Sequence, residues 1–160
     1  MNQHKALSRR RELWLLFTLA GIQFTHILDF MIMMPLGPQF TALFGITDAQ
    51  FGLLVSAYTL AAGASGLVAS TYIDRFGRKR LLLALYSLFA LATLACGLAP
   101  GYGALMIARI AAGVFGGVLS ALCQTIVGDV IPFERRGRAM GIIMTSFSVS
   151  TVAGVPLGLF

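Results

Sequence analysis

The chain has 160 residues, of which 58% are hydrophobic and only 11% are charged, and its net charge is +6. Soluble proteins carry charge on about 25% of their residues, so this composition indicates an integral membrane protein. A nucleic-acid-binding protein would gather its basic residues on one soluble face, whereas here they form short clusters between long apolar runs. We therefore predict the lipid bilayer as a partner and no contact with nucleic acid.

The first apolar run, residues 13–36, follows a basic segment, residues 1–12. At about 1.5 Å per residue, a helix of this length crosses a bilayer with some tilt. A cleaved signal peptide begins in a similar way, but its apolar core is shorter. The connection to the next helix is expected to be marked by Gly37, Pro38 and Gly45.

Further apolar runs predict four more spans. Thr47 and Gln50 have the spacing of a capping box that opens the second helix. This helix carries small residues at intervals of four, which allow helices to approach closely in lipid: Ala62, Gly66 and Ser70. The predicted spans after the first are residues 48–73, 81–99, 104–130 and 139–160. The fifth run is still apolar at Phe160, so further spans are expected, in the same longer chain or in another subunit.

The basic residues give the predicted orientation. All 12 Lys and Arg residues except Arg109 lie before the first span or in the connections after the second and fourth spans. The first cluster is Lys5, Arg9, Arg10 and Arg11. The second is Arg75, Arg78, Lys79 and Arg80, and the third is Arg135, Arg136 and Arg138. By the positive-inside rule, this asymmetry predicts a multi-pass protein of the cell inner membrane whose N-terminus lies in the cytoplasm.

Two charged residues are predicted to lie inside spans. Asp29 lies about 10 Å below the outer end of the first span, and Arg109 about 9 Å below the outer end of the fourth. An ionised side chain at the centre of a membrane helix costs about 2.5–3.5 kcal/mol on insertion scales, so such residues are usually paired or functional. Because the depths match, we expect the two residues to pair if the first and fourth spans face each other.

The neighbours of each charge form a stripe at helical spacing. Thr25, His26 and Met33 share the face of Asp29, and the face of Arg109 carries Gly113, Gly116, Ser120 and Gln124. Such stripes line a cavity in one interpretation and surround a buried structural ion pair in the other. His26 is either a proton partner of Asp29 or a packing residue. The stripes contain no aromatic cluster or second acidic residue that would favour a cationic substrate.

The connection between the second and third spans concentrates charge in residues 74–80. Gly77 is expected to supply the positive φ of a tight turn, and Arg75 a cation at a helix C-terminus. The basic residues of this loop can anchor it to anionic headgroups. Because anchoring does not require the negative charge of Asp74, this residue favours a role for the loop beyond anchoring.

This loop and the fourth span resemble the major facilitator superfamily. The loop Asp74-Arg75-Phe76-Gly77-Arg78-Lys79 is similar to the superfamily pattern G-x-x-x-D-R-x-G-R-K, with Ser70 at the first position, and Arg109 with Gly113 is similar to its Arg-x-x-x-Gly motif. The segments 29–35 and 154–158 resemble bacterial drug and sugar efflux permeases. In the second segment, the antiporter motif is matched only in part by Gly154, Pro156 and Gly158.

The resemblance implies an all-α membrane protein with the major facilitator fold, of which this chain supplies the first five helices of the N-terminal six-helix half. It implies transport of a small molecule by alternating access, with proton-coupled efflux of a drug-like or sugar-like substrate. Our hypothesis is that Asp29 exchanges a proton while Arg109 tunes its proton affinity. The polar stripes, which include His26 and Gln124, would line half of a substrate cavity. The gating loop would be Asp74, Arg75, Gly77, Arg78 and Lys79, and helix packing would involve Ser70, Gly113, Gly154, Pro156 and Gly158.

Two other classes of protein are alternatives to a transporter. The chain could be a truncated, non-transporting membrane fragment or a partner subunit, because five spans do not close a pathway of two halves. An intramembrane enzyme is disfavoured because the sequence has no His-Glu-x-x-His, no Gly-x-Ser-x-Gly and no acidic pair within a span. We predict no enzymatic activity, no cofactor and no metal site.

Overall fold

The computed structural model describes residues 9–159, except for the side chains of residues 154, 155 and 157–159. Its elements are helices throughout this range: α1 Arg9–Phe44, α2 Asp48–Tyr72, a 3-10 turn Ile73–Arg75, α3 Arg78–Gly97, α4 Tyr102–Val130 and α5 Phe133–Leu159. The predicted all-α architecture is therefore confirmed. The packing role predicted for Gly154 and Gly158 falls on positions of which only the backbone is described, and residues 1–8 of the basic segment lie outside the described residues.

Four of the described helices, α1 to α4, are long and apolar enough to cross a membrane. The fifth, α5, begins with a charged turn containing Glu134 and Arg135, and the apolar part of the helix follows. The capping box at the start of α2 is confirmed, since the Thr47 side chain accepts from the backbone of Gln50 and the Gln50 side chain accepts from the backbone of Thr47.

The first helix is longer than the sequence predicted. It continues through Gly37 and Pro38 to Phe44, so these two residues do not form the connection. Gly37 is instead a packing residue, because a Cβ there would lie 3.0 Å from the ring of Phe51 on α2. The turn itself is made at Gly45, which has a φ of 60°. This left-handed conformation is easy for glycine and costly for most other residues.

Packing in the bundle follows two main pairs of helices. Helix α4 packs along α2 and also contacts α3, while α1 packs along α5. Weaker contacts join α1 to α4 and to α2. The core is apolar and follows the inner face of α4, where it includes Ala112, Leu119, Leu122 and Val127. This arrangement places Asp29, near the middle of α1, beside Arg109, about two turns after the start of α4.

Candidate functional site

The two predicted intramembrane charges form an ion pair. Nη1 of Arg109 donates to Oδ2 of Asp29 at 3.0 Å, and Nη2 of Arg109 lies 3.4 Å from the backbone oxygen of Asp29. The side chains are nearly closed off from the surface, with 3% of Arg109 and 9% of Asp29 exposed. An opposite charge at this distance offsets part of the cost of placing either ion in an apolar environment. The pair therefore joins α1 to α4 across the core.

Aromatic rings surround this ion pair. The guanidinium carbon of Arg109 lies 5.3 Å from the centre of the Tyr58 ring, a cation–π contact. Phe30 and His26 stack on the same tyrosine, with centroids 5.5 and 6.1 Å away. His26 also lies against Phe89 of α3 at 5.8 Å. The site is thus a layer of rings on α1, α2 and α3 with one charged pair inside it.

Several polar atoms in this layer lack a hydrogen-bond partner among residues 9–159. These atoms are both ring nitrogens of His26, the hydroxyl oxygens of Tyr58 and Thr93, and Nε of Arg109. His26 makes no hydrogen bond to Asp29, so its contacts are those of packing against rings. Buried polar groups without partners are costly, so the concentration of five such atoms around one charged pair marks this layer as the candidate site.

Glycines on α4 bring the helices together at this level. A Cβ on Gly113 would lie 2.5 Å from the backbone oxygen of Tyr58, and one on Gly116 would collide with the ring of His26. Gly117 contacts the backbone of Ala62 in the same way. Any side chain here would push α2 or α1 away from α4, so the glycines set the distance at which Arg109 can reach Asp29.

The predicted polar stripes meet at Asp29 with Arg109 and at His26 with Gly116, and other polar members bond to residues outside the stripes. Ser120 accepts from Nε2 of Gln23 at 3.2 Å, and Thr25 accepts from the hydroxyl of Tyr86 at 3.3 Å. Met33 is buried. Gln124, however, is exposed, lies outside the ion-pair cluster and has no hydrogen bond within the described chain. It projects from α4 more than three turns from Arg109, which is too far to touch Asp29.

Two cavities lie beside α1, one against the aromatic rings and the other reaching Asp29. One, of about 210 Å³, lies between α1, α2 and α5 and is lined by His26, Ile27, Phe30, Tyr58, Thr59, Ala62 and Phe147. The other, of about 570 Å³, lies between α1 and α3 and includes Asp29, Thr25, Tyr86 and Thr93. The first is an aromatic cluster that the stripes did not predict, because its rings come from three different helices. The second includes Asp29 in its lining, although only 9% of the Asp29 side chain is exposed.

The loop after α2 forms a second charged cluster. Arg78 donates to Asp74 at 2.6 Å and lies 2.8 Å from Asp129 at the end of α4. Its Nη1 also donates to the backbone oxygen of Ile73 at 2.7 Å. One arginine thus ties together the end of α2, the start of α3 and the end of α4.

The conformation of this loop differs from the prediction at Gly77. Its φ is −63°, because the 3-10 turn Ile73–Arg75 and the extended Phe76 already reverse the chain. A Cβ on Gly77 would meet nothing within 4 Å. Arg75 lies over the ring of Tyr72 at 5.8 Å, and Lys79 borders a cavity beside Asp129.

The predicted row of small residues on α2 is only partly at a helix interface. A Cβ on Gly66 would lie 3.3 Å from the backbone oxygen of Gly117, so Gly66 packs closely on α4. Ser70 is exposed, and its hydroxyl donates to the backbone oxygen of Leu67 at 2.6 Å. Its neighbour Ala69 is the residue that enters the core. Pro156 is exposed and lies within α5.

Sequence reasoning missed two acidic residues at the same end of the bundle. Asp129 and Glu12 pair with Arg78 and Arg135, respectively. For Asp129 a signal was present: a carboxylate at a helix C-terminus opposes the helix dipole and therefore needs a cation nearby. Glu12 sits among arginines in the sequence and gave no signal that it would be buried.

Comparison with known proteins decides the family. Residues 19–160 match the sequence profile of the Major Facilitator Superfamily. The chain belongs to this superfamily. The predicted membership of the major facilitator superfamily, a family of membrane transporters, is therefore confirmed. The motif residues Asp74 and Arg109 are the ones that form the two charged clusters.

Comparison with individual proteins supports the same family. The chain is 29% identical over 153 residues to the uncharacterized MFS-type transporter YhcA of Bacillus subtilis, covering 96% of this chain and 29% of that protein. It is 35% identical over 144 residues to the efflux pump dotC of Dothistroma septosporum, covering 88% of this chain and 24% of that pump.

The fold is also found in a solved transporter. A bacterial homologue of the human lysosomal transporter Spinster, in an inward-facing and occupied conformation, superimposes with a TM-score of 0.86 and 22% identity. The match covers 92% of this chain and 32% of that transporter. This chain therefore spans less than a third of the length of these major facilitator relatives, and its helices correspond to part of the transporter fold.

Proposed function

We propose that this chain supplies the first five helices of a proton-coupled efflux transporter, in which Asp29 carries the proton. The observation that carries the proposal is the ion pair between Asp29 and Arg109, held in an aromatic layer between α1 and α4. Protonation of Asp29 removes its charge and releases Arg109, so binding of one proton changes the contact between the two helices. Coupling of this kind requires a carboxyl group that reaches water, and the cavity beside Asp29 supports that access.

The remaining helices of the pathway belong, in this proposal, to the same longer protein or to another subunit. Alternating access in this fold needs two halves that move against each other. The loop cluster of Arg78, Asp74 and Asp129 is proposed as the gate that stabilises one conformation. The N-terminus is placed in the cytoplasm of a cell with an inner membrane, on the basis of the basic clusters.

The lining of the 210 Å³ cavity between α1, α2 and α5 favours an apolar ring-containing substrate over a sugar. Phe30, Tyr58 and Phe147 provide faces for stacking, and His26 with the Tyr58 hydroxyl provides hydrogen-bonding atoms. A sugar needs many polar partners, which this cavity lacks. The efflux pump dotC among the relatives is consistent with export as the direction of transport.

A transport assay on the assembled transporter tests the proposal. Proteoliposomes would be loaded with compounds from a panel that pairs apolar aromatic compounds with sugars, and a pH gradient would be imposed. We expect gradient-driven movement of an aromatic compound, and Asp29→Asn is expected to abolish that movement while substrate exchange without a gradient continues. Asp48→Asn, at the exposed start of α2, is the control. Gradient-driven transport that survives Asp29→Asn would refute the coupling role.

The alternative is a non-transporting fragment or a partner subunit. The chain covers only 29% of the length of the relative YhcA, which is the reason to test this alternative. An antibody against the N-terminal segment would measure the mass of the product in native membranes and identify any chain that copurifies with it. A product of 17.1 kDa that purifies alone would favour the alternative.

A further inference from the structure

A small cavity lies between the starts of α1 and α5, at the end of the bundle that carries the basic clusters. It has a volume of about 70 Å³ and is lined by Arg9, Glu12, Leu13, Leu16, Arg135, Arg138, Ala139 and Ile142. Three arginines and one glutamate give this lining an excess of positive charge. Neither transport nor the gate described above uses any of these side chains.

The one carboxylate in the cavity is already engaged. Glu12 lies 3.0 Å from Arg135, and only 12% of its side chain is exposed. Among residues 9–159, Arg9 and Arg138 have no carboxylate within ion-pair distance. The remaining arginine of this cluster, Arg136, donates to the backbone oxygens of Ile131 and Gly128 at the end of α4. Arg9 and Arg138 thus leave two positive charges facing the cavity.

The walls of the cavity continue into a surface suited to lipid. Leu13 and Leu16 line it from α1, and Trp14 and Phe17 on the same helix are about two-thirds exposed. Tryptophan at the end of a membrane helix is typical of the headgroup level, where its ring is amphipathic. Basic pockets between membrane helices on the cytoplasmic side bind anionic headgroups. The cavity has room for a compact anion, and the adjoining apolar surface can receive acyl chains.

We propose that this cavity binds the phosphate group of an anionic phospholipid, held by Arg9 and Arg138. The bound lipid bridges α1 and α5. Glu12 opposes binding, since it occupies Arg135 and adds a negative charge to the lining. This assignment is independent of the transport cycle, because it uses side chains far from Asp29 and Arg109 along α1 and requires no proton movement.

Trp14 allows the proposal to be tested directly, because it is the one tryptophan among these 160 residues and a substitution isolates its share of the fluorescence of the assembled protein. The purified protein would be reconstituted into mixed vesicles of phosphatidylglycerol and phosphatidylcholine, with bromine atoms on the acyl chains of one lipid at a time. Bromine quenches indole fluorescence at short range, so the ratio of quenching reports which lipid lies beside Trp14. Fluorescence lost in Trp14→Phe defines the signal of this residue.

We expect phosphatidylglycerol to be preferred over phosphatidylcholine, with each arginine contributing about a fivefold preference. Arg9→Gln with Arg138→Gln should bring the ratio close to one. The matched control is Arg10→Gln with Arg11→Gln, which removes the same charge from exposed positions outside the cavity and should leave most of the preference. Equal losses in the two double variants would show a general surface-charge effect and overturn the proposal.

Glu12→Gln gives a second result that does not depend on the arginine variants folding. It frees Arg135 and should raise the preference for phosphatidylglycerol about fivefold. An unchanged or lower preference would mean that the pair of Glu12 and Arg135 only holds the helices together, and would contradict the proposal. Millimolar inorganic phosphate is a further arm: if it abolishes the preference, the site takes free phosphate and the lipid assignment is wrong. A preference that persists in phosphate supports the lipid.

Discussion

Arg109 interacts with three groups at once: the carboxylate of Asp29, the backbone oxygen of the same residue and the ring of Tyr58. With its side chain closed off from the surface, it depends on these contacts to offset the loss of hydration. Asp29 depends on it in turn. The two residues are therefore expected to act as a unit, so that loss of either one leaves the other charge buried and unpaired.

This mutual dependence can be measured by a double-mutant cycle. Arg109→Gln alone should lower the free energy of unfolding by about 3–5 kcal/mol, because an uncompensated carboxylate remains inside the bundle. The double variant Asp29→Asn with Arg109→Gln should recover part of that loss, since no charge is left. Unfolding would be followed in detergent by circular dichroism. Additive effects of the two single substitutions would show that the residues do not interact.

At the scale of residues, the sequence predicted those members of the candidate site whose position follows from a single physical rule. Asp29 and Arg109 could be paired from depth alone, because charge is rare inside a span. The rings of Tyr58 and Phe147 could not be assigned to the same site, since their meeting depends on how α2 and α5 rotate against α1. Glu12 was missed for a related reason: only the approach of α5 buries it.

At the scale of elements, α4 determines how closely the other helices pack. Its glycines at 113, 116 and 117 contact the backbone or rings of α2 and α1 where a Cβ has no room. Packing in lipid depends on such close approach, because apolar surface alone does not drive helices together there. The same glycines bring Arg109 within reach of Asp29, so helix packing and the candidate site share one structural cause.

Gly113→Ala tests this link. The added Cβ would lie 2.5 Å from the backbone oxygen of Tyr58, so α2 and α4 must separate. We expect a loss of about 1–3 kcal/mol in the free energy of unfolding, as for overpacked cores. Gly63→Ala on α2 is the matched control, since its Cβ would meet nothing within 4 Å and alanine favours the helix. Equal stability of the two variants would argue against glycine-dependent packing.

Helix boundaries show how far local signals reach. The capping box fixed the start of α2 because Thr47 and Gln50 satisfy each other's backbone partners within one turn. The predicted end of α1 at Gly37 and Pro38 was wrong, because both residues can also occur inside a membrane helix when neighbours pack against it. The positive φ predicted for Gly77 was wrong for a different reason. The chain reverses through the 3-10 turn, where Arg78 donates to the backbone oxygen of Ile73, and no left-handed residue is needed.

At the scale of the whole molecule, the contacts have the symmetry of inverted repeats. Helix α2 packs on α4 while α5 packs on α1, so the second helix of each three-helix repeat packs on the first helix of the other. The two charged members, α1 and α4, are the corresponding first helices. In the proposed mechanism, proton exchange at their contact acts between the two repeats, where a small change in packing can alter access to the pathway.

The central claim is that Asp29 binds the proton that is exchanged for substrate. It is tested most directly by adding a transported substrate to the assembled transporter in weakly buffered detergent solution and recording the pH. Substrate binding should release protons from the wild-type protein, and Asp29→Asn should release none while still binding substrate. The Asp48→Asn control should behave as wild type. Proton release of the same size from Asp29→Asn would contradict the account.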